Sequence, residues 1–282
     1  MRRLLLIVML AAGLLGCNGM FFFPYRGQML SPDQLGLKYE DVDFPADDGT
    51  RLHAWFLPAS GKALGTILFL HGNAENISTH IMSVRWLPAQ GFNVFLLDYR
   101  GYGASEGEPS VEGVQEDVNA AMRTLLSRRD VNSDRIVVFG QSLGGSIAVY
   151  NVAHSPYRRH IRALVVESAF ASYRAIAREK LAAFWLTWPL QYPLSWTVSD
   201  EFSPSTAVAG VSPIPLLIIH GDQDPIVPVD HGKRLFELAQ EPKQLWIVSG
   251  GGHIQAFQHQ SYRDRFVNYL TAVLPNPPAV HK

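Results

Sequence analysis

The sequence predicts a single α/β domain, doubly wound around a mostly parallel sheet. Short β-rich apolar runs alternate with helix-length amphipathic segments, and an alternating hairpin pattern precedes them. The chain has 282 residues, 47% hydrophobic and 17% charged, with no internal repeat and no low-complexity linker. That is enough to bury one large core and rules out the disordered and multi-span membrane classes. With 24 Lys+Arg against 25 Asp+Glu the net charge is −1. Nothing here neutralises a phosphate backbone, so nucleic acid is not an expected partner.

The chain opens with a basic Met1-Arg2-Arg3, then an almost unbroken apolar run from Leu4 to Leu15. That run is shorter than a bilayer span and has the proportions of a secretory signal peptide. It ends in Leu14-Leu15-Gly16-Cys17, which resembles the bacterial lipobox, although Leu15 stands where that pattern usually has a smaller residue. Cys17 is the chain's only cysteine. No internal disulfide can therefore form, and no Cys/His cluster has zinc spacing. Residues 1–16 are expected to be a lipoprotein signal peptide, 17–37 a tether and 38–282 the folded domain. The lipobox resemblance implies lipidation of Cys17, and Asn18 after it resembles lipoproteins sent to the outer membrane, facing the periplasm. Phe21-Phe22-Phe23 suits either a membrane interface or packing on the domain.

The domain begins with two alternating runs, Lys38–Phe44 and Arg51–Leu57, around Asp47-Asp48-Gly49, the pattern of a β-hairpin. Six runs follow: Thr66–Leu70, Asn93–Asp98, Arg135–Gly140, Arg162–Val166, Pro215–His220 and Gln244–Ser249. They are continuous rather than alternating, as strands covered on both faces should be. Helices are expected near 75–90, 111–128, 143–154, 229–240 and 254–273. Residues 171–213 make one connection much longer than a crossover needs. It holds Tyr173, Phe184, Trp185, Trp188, Tyr192, Trp196 and Phe202. A segment so aromatic predicts a lid or pocket wall above the sheet, or an extra helix packed on the core.

The chemistry centres on Gly140-Gln141-Ser142-Leu143-Gly144, a G-x-S-x-G between a strand run and a helical run. This is the setting of a nucleophile elbow, where flanking glycines permit a sharp strained turn. It would present Ser142 at a helix N-terminus; the other role for such a serine is to cap that helix. A serine nucleophile needs a base oriented by an acid, found downstream in the order acid, then histidine. The turn Gly221-Asp222-Gln223-Asp224-Pro225 offers Asp224, favoured over Asp222, which suits turn fixation. Glu167, at another strand end, is the outside candidate. His253, after three glycines, is the expected base; His220 and His231 are poorer placed. Both loops leave the carboxyl edge of the sheet, where ligands bind in open α/β folds. For the oxyanion, the Leu143 and Asn73 N–H groups are the expected donors, Asn73 from the loop Leu70-His71-Gly72-Asn73.

These motifs, with Asp98-Tyr99-Arg100-Gly101-Tyr102-Gly103-Ala104-Ser105 and Gly252-His253, resemble the α/β-hydrolase superfamily, most closely its serine-aminopeptidase-like and depalmitoylase-like branch. The resemblance runs from about residue 38 to 273. It implies the α/β-hydrolase fold: an eight-stranded, mostly parallel sheet flanked by helices, with a small cap inserted after strand six. It also supports Ser142, Asp224 and His253 as nucleophile, acid and base. The expected function is serine hydrolysis of a carboxylic ester or thioester with a hydrophobic acyl group, without metal or organic cofactor. An aminopeptidase-like amide hydrolase, a non-catalytic binding lipoprotein on the same scaffold and an acyltransferase stay open from sequence. The cap carries only Glu179, Asp200 and Glu201 as carboxylates for a peptide amine, which favours the ester.

Overall fold

The structure, a computed structural model, describes residues 21–274. Eight strands form the central sheet: β1 (Glu40–Pro45), β2 (Arg51–Leu57), β3 (Gly65–Leu70), β4 (Phe92–Asp98), β5 (Ile136–Gln141), β6 (Ile161–Glu167), β7 (Leu216–Gly221) and β8 (Lys243–Val248). Their order across the sheet is β8-β7-β6-β5-β3-β4-β2-β1. β1 and β2 pair antiparallel, and β2 runs antiparallel to β4; every other pairing is parallel. The chain winds outward from β3 in both directions, so the strands from β3 onward end on one edge.

The helices are α1 (Ile77–Val84), α2 (Val111–Ser127), α3 (Leu143–His154), α4 (Tyr173–Ala183), α5 (Gln191–Ser195), α6 (Pro204–Ala207), α7 (Val229–Leu238) and α8 (Gln260–Val273). Alternate residues along one strand feed opposite layers. Leu68, Leu70, Phe95, Leu97 and Val138 enter the core beneath α2 and α3. Ile67, Phe69, Val94, Leu96, Val137 and Phe139 enter the core beneath α1 and α8. Along β3–β7 both faces are dry, which is why these strands read as unbroken apolar runs, whereas the edge strands β1 and β8 leave residues exposed; full burial of each apolar side chain is worth roughly 1.5–3 kcal/mol.

Two helices are shorter than their patterns suggest. α1 covers only 77–84 of the expected 75–90. Asn76 caps it, its Oδ1 accepting from the Ser78 N–H at 2.9 Å, and Pro88 starts a separate 3₁₀ turn. α8 starts at Gln260 rather than near 254, because residues 250–259 are held in an irregular path by the end of β6.

The insertion at 171–213 divides into two parts. The first, α4 with its Ser172 cap and the short α5, stands over the carboxyl edge of the sheet. The second, α6 and the turn after it, packs on α3 and buries Ala207, Val208 and Val211. Pocket wall and extra packed helix are thus both present, in sequence.

The stretch expected to be a tether is docked on the domain from Phe21 onward. Phe22 is buried in the core, and Phe23–Pro24 pairs in parallel with Ala74–Glu75. Phe21 packs edge-on against Tyr173, with ring centroids 4.9 Å apart. Free solvation would leave three phenyl rings in water, and packing removes two of them. Residues 1–16, Cys17 and Asn18 lie outside the described residues. No helix among those described is long and apolar enough to cross a membrane.

Candidate active site

Ser142 occupies the turn between β5 and α3 with φ 53° and ψ −120°, a conformation costly for any residue with a Cβ. The surrounding glycines explain how the turn closes. A Cβ on Gly140 would collide with the Gly144 carbonyl, and one on Gly144 would collide with the carbonyl oxygens of Leu70 and His71. Helix α3 can therefore approach the end of β3 only with glycine at both places. The Ser142 hydroxyl makes no capping bond to α3, so the capping role is not what this serine does. Its own N–H donates to the Glu167 carbonyl at 2.8 Å, fixing the turn to β6.

The loop after β3 lies directly beside the serine: a Cβ on Gly72 would be 3.7 Å from that of Ser142. Residues of the Asp98–Ser105 segment pin this loop. The Tyr99 hydroxyl donates to the His71 carbonyl at 3.1 Å, and the Tyr102 hydroxyl donates to the Asn73 carbonyl at 2.7 Å. Asp98 Oδ1 accepts the Ile77 N–H at 3.0 Å, anchoring α1. With its carbonyl held from behind, Asn73 joins Ser142 and Leu143 in lining one cavity. Leu143 is the first residue of α3, where an N–H has no intrahelical acceptor. Burial, then the neighbouring His80, pushes His71 well below the ordinary histidine range, so its ring is neutral at pH 7.

Asp224 and His253 come together from separate loops: His253 Nδ1 lies 2.8 Å from Asp224 Oδ2. The other carboxylate oxygen accepts the N–H groups of Ile226 and Val227 at 2.8 and 2.9 Å. Burial would raise the Asp224 pKa, but the His253 hydrogen bond and these two N–H groups outweigh it and hold the carboxyl down at about 2. Asp222, the alternative acid, instead accepts the Gly250 N–H at 2.7 Å and fixes the turn.

Glu167 faces neither the cavity nor His253 directly. Its carboxylate accepts from Gln141 Nε2 at 2.7 Å and from the Ala256 N–H at 2.9 Å. The adjacent Ser168 Oγ accepts the Ile254 N–H at 3.2 Å, and Ile254 itself has φ 48°. The end of β6 thus bonds both the turn carrying Ser142 and the loop carrying His253. Sequence reasoning missed this link; the only signal was a polar pair, Glu167-Ser168, closing an apolar run. His220 turns its Nε2 to the Val227 carbonyl at 2.8 Å, and His231 bonds Glu179 of the cap at 3.1 Å. Neither competes for the place of His253.

The cavity over Ser142 has a volume of about 440 Å³, within the range of small-molecule sites. Its walls include Phe21 and Phe23 from the N-terminal segment, Ile176, Lys180 and Leu181 from α4, and Ile226 and Val227 beyond Asp224. Among the described residues no carboxylate lines it. The two phenylalanines are a further addition to the sequence reading. Among the described residues no group of three or more His, Cys, Asp or Glu is placed to hold a metal.

The sequence pattern of the serine aminopeptidase S33 family matches residues 61–210, and that of the alpha/beta hydrolase fold matches 171–260. The chain belongs to the serine aminopeptidase S33 family of α/β hydrolases. The uncharacterized protein YfhR of Escherichia coli strain K12 is 39% identical over 264 residues, 91% of this chain and 88% of that one. The alpha/beta hydrolase domain-containing protein WAV2 of Arabidopsis thaliana is 37% identical over 219 residues, covering 74% and 70%. Among solved structures, the esterase Pf2001 of Pyrococcus furiosus superposes with a TM-score of 0.71 at 22% identity, over 90% of this chain and 97% of its own. At that identity the likeness is one of fold alone.

Proposed function

We propose that this protein is a serine hydrolase that cleaves carboxylic esters or thioesters of hydrophobic acyl groups. The observation that carries this is the strained Ser142 at the floor of an apolar cavity. Its walls continue into the loop of Asp224, the residue bonded to His253. In this reading Ser142 Oγ attacks the carbonyl carbon while its proton passes to His253 Nε2. Asp224 keeps the other ring nitrogen protonated and stabilises the imidazolium. The oxyanion accepts from the Leu143 and Asn73 N–H groups, each worth about 3–4 kcal/mol in the transition state. The alcohol or thiol leaves with the proton from His253. Water, deprotonated by the same histidine, then releases the carboxylic acid and restores Ser142.

The family name points to peptides, but an exopeptidase needs carboxylates to hold the α-amino group. Among the described residues the cavity wall has no carboxylate and one cation, Lys180, which would repel an α-ammonium group. That favours an uncharged acyl chain. Covalent labelling by a fluorophosphonate probe tests the reading: the wild type is labelled and Ser142→Ala is not. A folded wild type that resists labelling would overturn it in favour of a non-catalytic binding protein, and equal labelling would mean another nucleophile. A panel of esters graded by acyl length, against amino-acid anilides, separates esterase from peptidase.

We further propose that the chain is held at the bacterial envelope by a lipid on Cys17. Replacing Cys17 with Ser should release the protein from the membrane fraction; unchanged fractionation would remove the proposal.

A further inference from the structure

The cap exposes a large apolar surface that the hydrolytic chemistry does not use. From Leu181 to Ser199 the sequence contains no charged residue. Within that stretch Phe184, Trp185, Leu186, Trp188, Leu190, Tyr192 and Trp196 are each more than half exposed, with Trp185 at 78% and Trp196 at 69%. Single exposed apolar residues are ordinary on a soluble surface, but a contiguous set of this kind marks a place of contact. Tryptophan and tyrosine in particular suit a boundary that is apolar on one side and wet on the other.

The way the chain arrives identifies what is contacted. Helix α4 runs from the cavity wall at Ile176 and Leu181 straight into Phe184-Trp185. Across the same cavity stand Phe21 and Phe23, and Phe23 is 61% exposed. The described chain therefore starts on the rim from which the aromatic surface projects. Cys17 lies only four residues further back, and four residues reach at most about 14 Å. A membrane-held N-terminus would keep this rim, rather than the opposite side of the domain, against the lipid. Arg178 and Lys180 are exposed on α4 beside the surface, and the Arg178 guanidinium lies 5.6 Å from the Tyr192 ring centroid. Basic residues flanking an aromatic apolar surface suit an anionic phospholipid headgroup layer.

We infer that the 184–196 surface of the cap docks into the headgroup region of a phospholipid bilayer, seating the mouth of the cavity at the lipid surface. The inference rests on the membrane reading of the N-terminus and is independent of the hydrolytic one. The full chain is purified from membranes and reconstituted in vesicles of phosphatidylethanolamine and phosphatidylglycerol with brominated acyl chains. Docking predicts quenching of tryptophan emission. Leu186→Asp with Leu190→Asp removes two exposed contacts while keeping every fluorophore. It should lower the docked-to-undocked ratio on the order of a hundredfold, given the cost of carboxylates at the apolar boundary. Fluorophosphonate labelling in detergent should be unchanged in that variant, since neither leucine lines the cavity. Protein that floats with the vesicles but is not quenched, or is quenched equally in the variant, overturns docking. Failure to float overturns docking and the anchor together. A dimer in detergent that the variant dissolves, without quenching in vesicles, would assign the surface to a second copy instead. Quenching without labelling of the wild type would leave docking standing and remove the hydrolase reading.

Discussion

Replacing Asp224 with Asn tests the acid at the centre of the proposed mechanism, and its consequence follows from the hydrogen bonds. Asp224 Oδ1 faces two N–H donors, Ile226 and Val227, while Oδ2 faces His253 Nδ1 at 2.8 Å. An asparagine can satisfy the two N–H groups only with its carbonyl oxygen, which turns its NH₂ toward His253. The imidazole must then accept at Nδ1 and carry its proton on Nε2, the wrong tautomer to deprotonate Ser142. The opposite amide orientation would set an NH₂ against two N–H groups and is more costly still. The expected loss in kcat is about 10⁴-fold, the size found when the wrong tautomer is imposed on such a triad.

Stability should fall as well. The Asp224 carboxyl is lowered to about 2 from its ordinary 3.8. A depressed carboxyl contributes stability above the unfolded value and loses it as pH drops from about 4 toward 2. The shift corresponds to about 2 kcal/mol at pH 7, or roughly 4–8 °C in Tm for a domain of this size. Ester hydrolysis at saturating substrate and calorimetric unfolding at pH 7 and pH 3 give the two readouts. A fall in kcat of less than tenfold, with an unchanged pH profile, would show that Asp224 does not set the tautomer of His253.

Asp222→Asn keeps an oxygen for the Gly250 N–H, so kcat should stay within a few fold of wild type; a loss like that of Asp224→Asn would exchange their roles. Gly144→Ala drives a methyl into the Leu70 and His71 carbonyls; thermal denaturation should show a loss of about 3 kcal/mol or more, and activity should vanish with it. Burial raises the Glu167 carboxyl despite its bonds from Gln141 and Ala256. Such a group helps the fold at low pH and loses that help as pH rises through its folded pKa. Glu167→Gln should therefore compare worst with wild type in acid and improve relative to it toward pH 8 in urea unfolding. An opposite trend would mean that Glu167 is held as a stabilised carboxylate.

How far each part could be read from sequence depends on how local its cause is. The sheet was legible because β3–β7, buried on both faces, must be apolar throughout, and the six runs from Thr66 to Ser249, including that of the half-exposed edge strand β8, match β3–β8 to within a residue or so at each end. The hairpin turn and the elbow glycines were legible for a related reason: a backbone geometry barred to most side chains restricts which residues can occupy it. Asp224 and Asp222 lie two residues apart in one turn, and sequence could only favour one of them. Their bonds to His253 and Gly250 are set by where β8 delivers its loop, which is a tertiary fact. Glu167 and Ser168 are similar: they shorten α8 and hold the His253 loop through partners nearly ninety positions away, and no local pattern encodes that. The aromatic cap announced its composition but not its division, with 204–211 packed on α3 and 184–196 left facing outward. The triplet Phe21-Phe22-Phe23 shows the same limit. Sequence showed three rings with reason to leave water; the tertiary structure decided that Phe22 would enter the core while Phe21 and the half-exposed Phe23 wall the cavity beside Ser142.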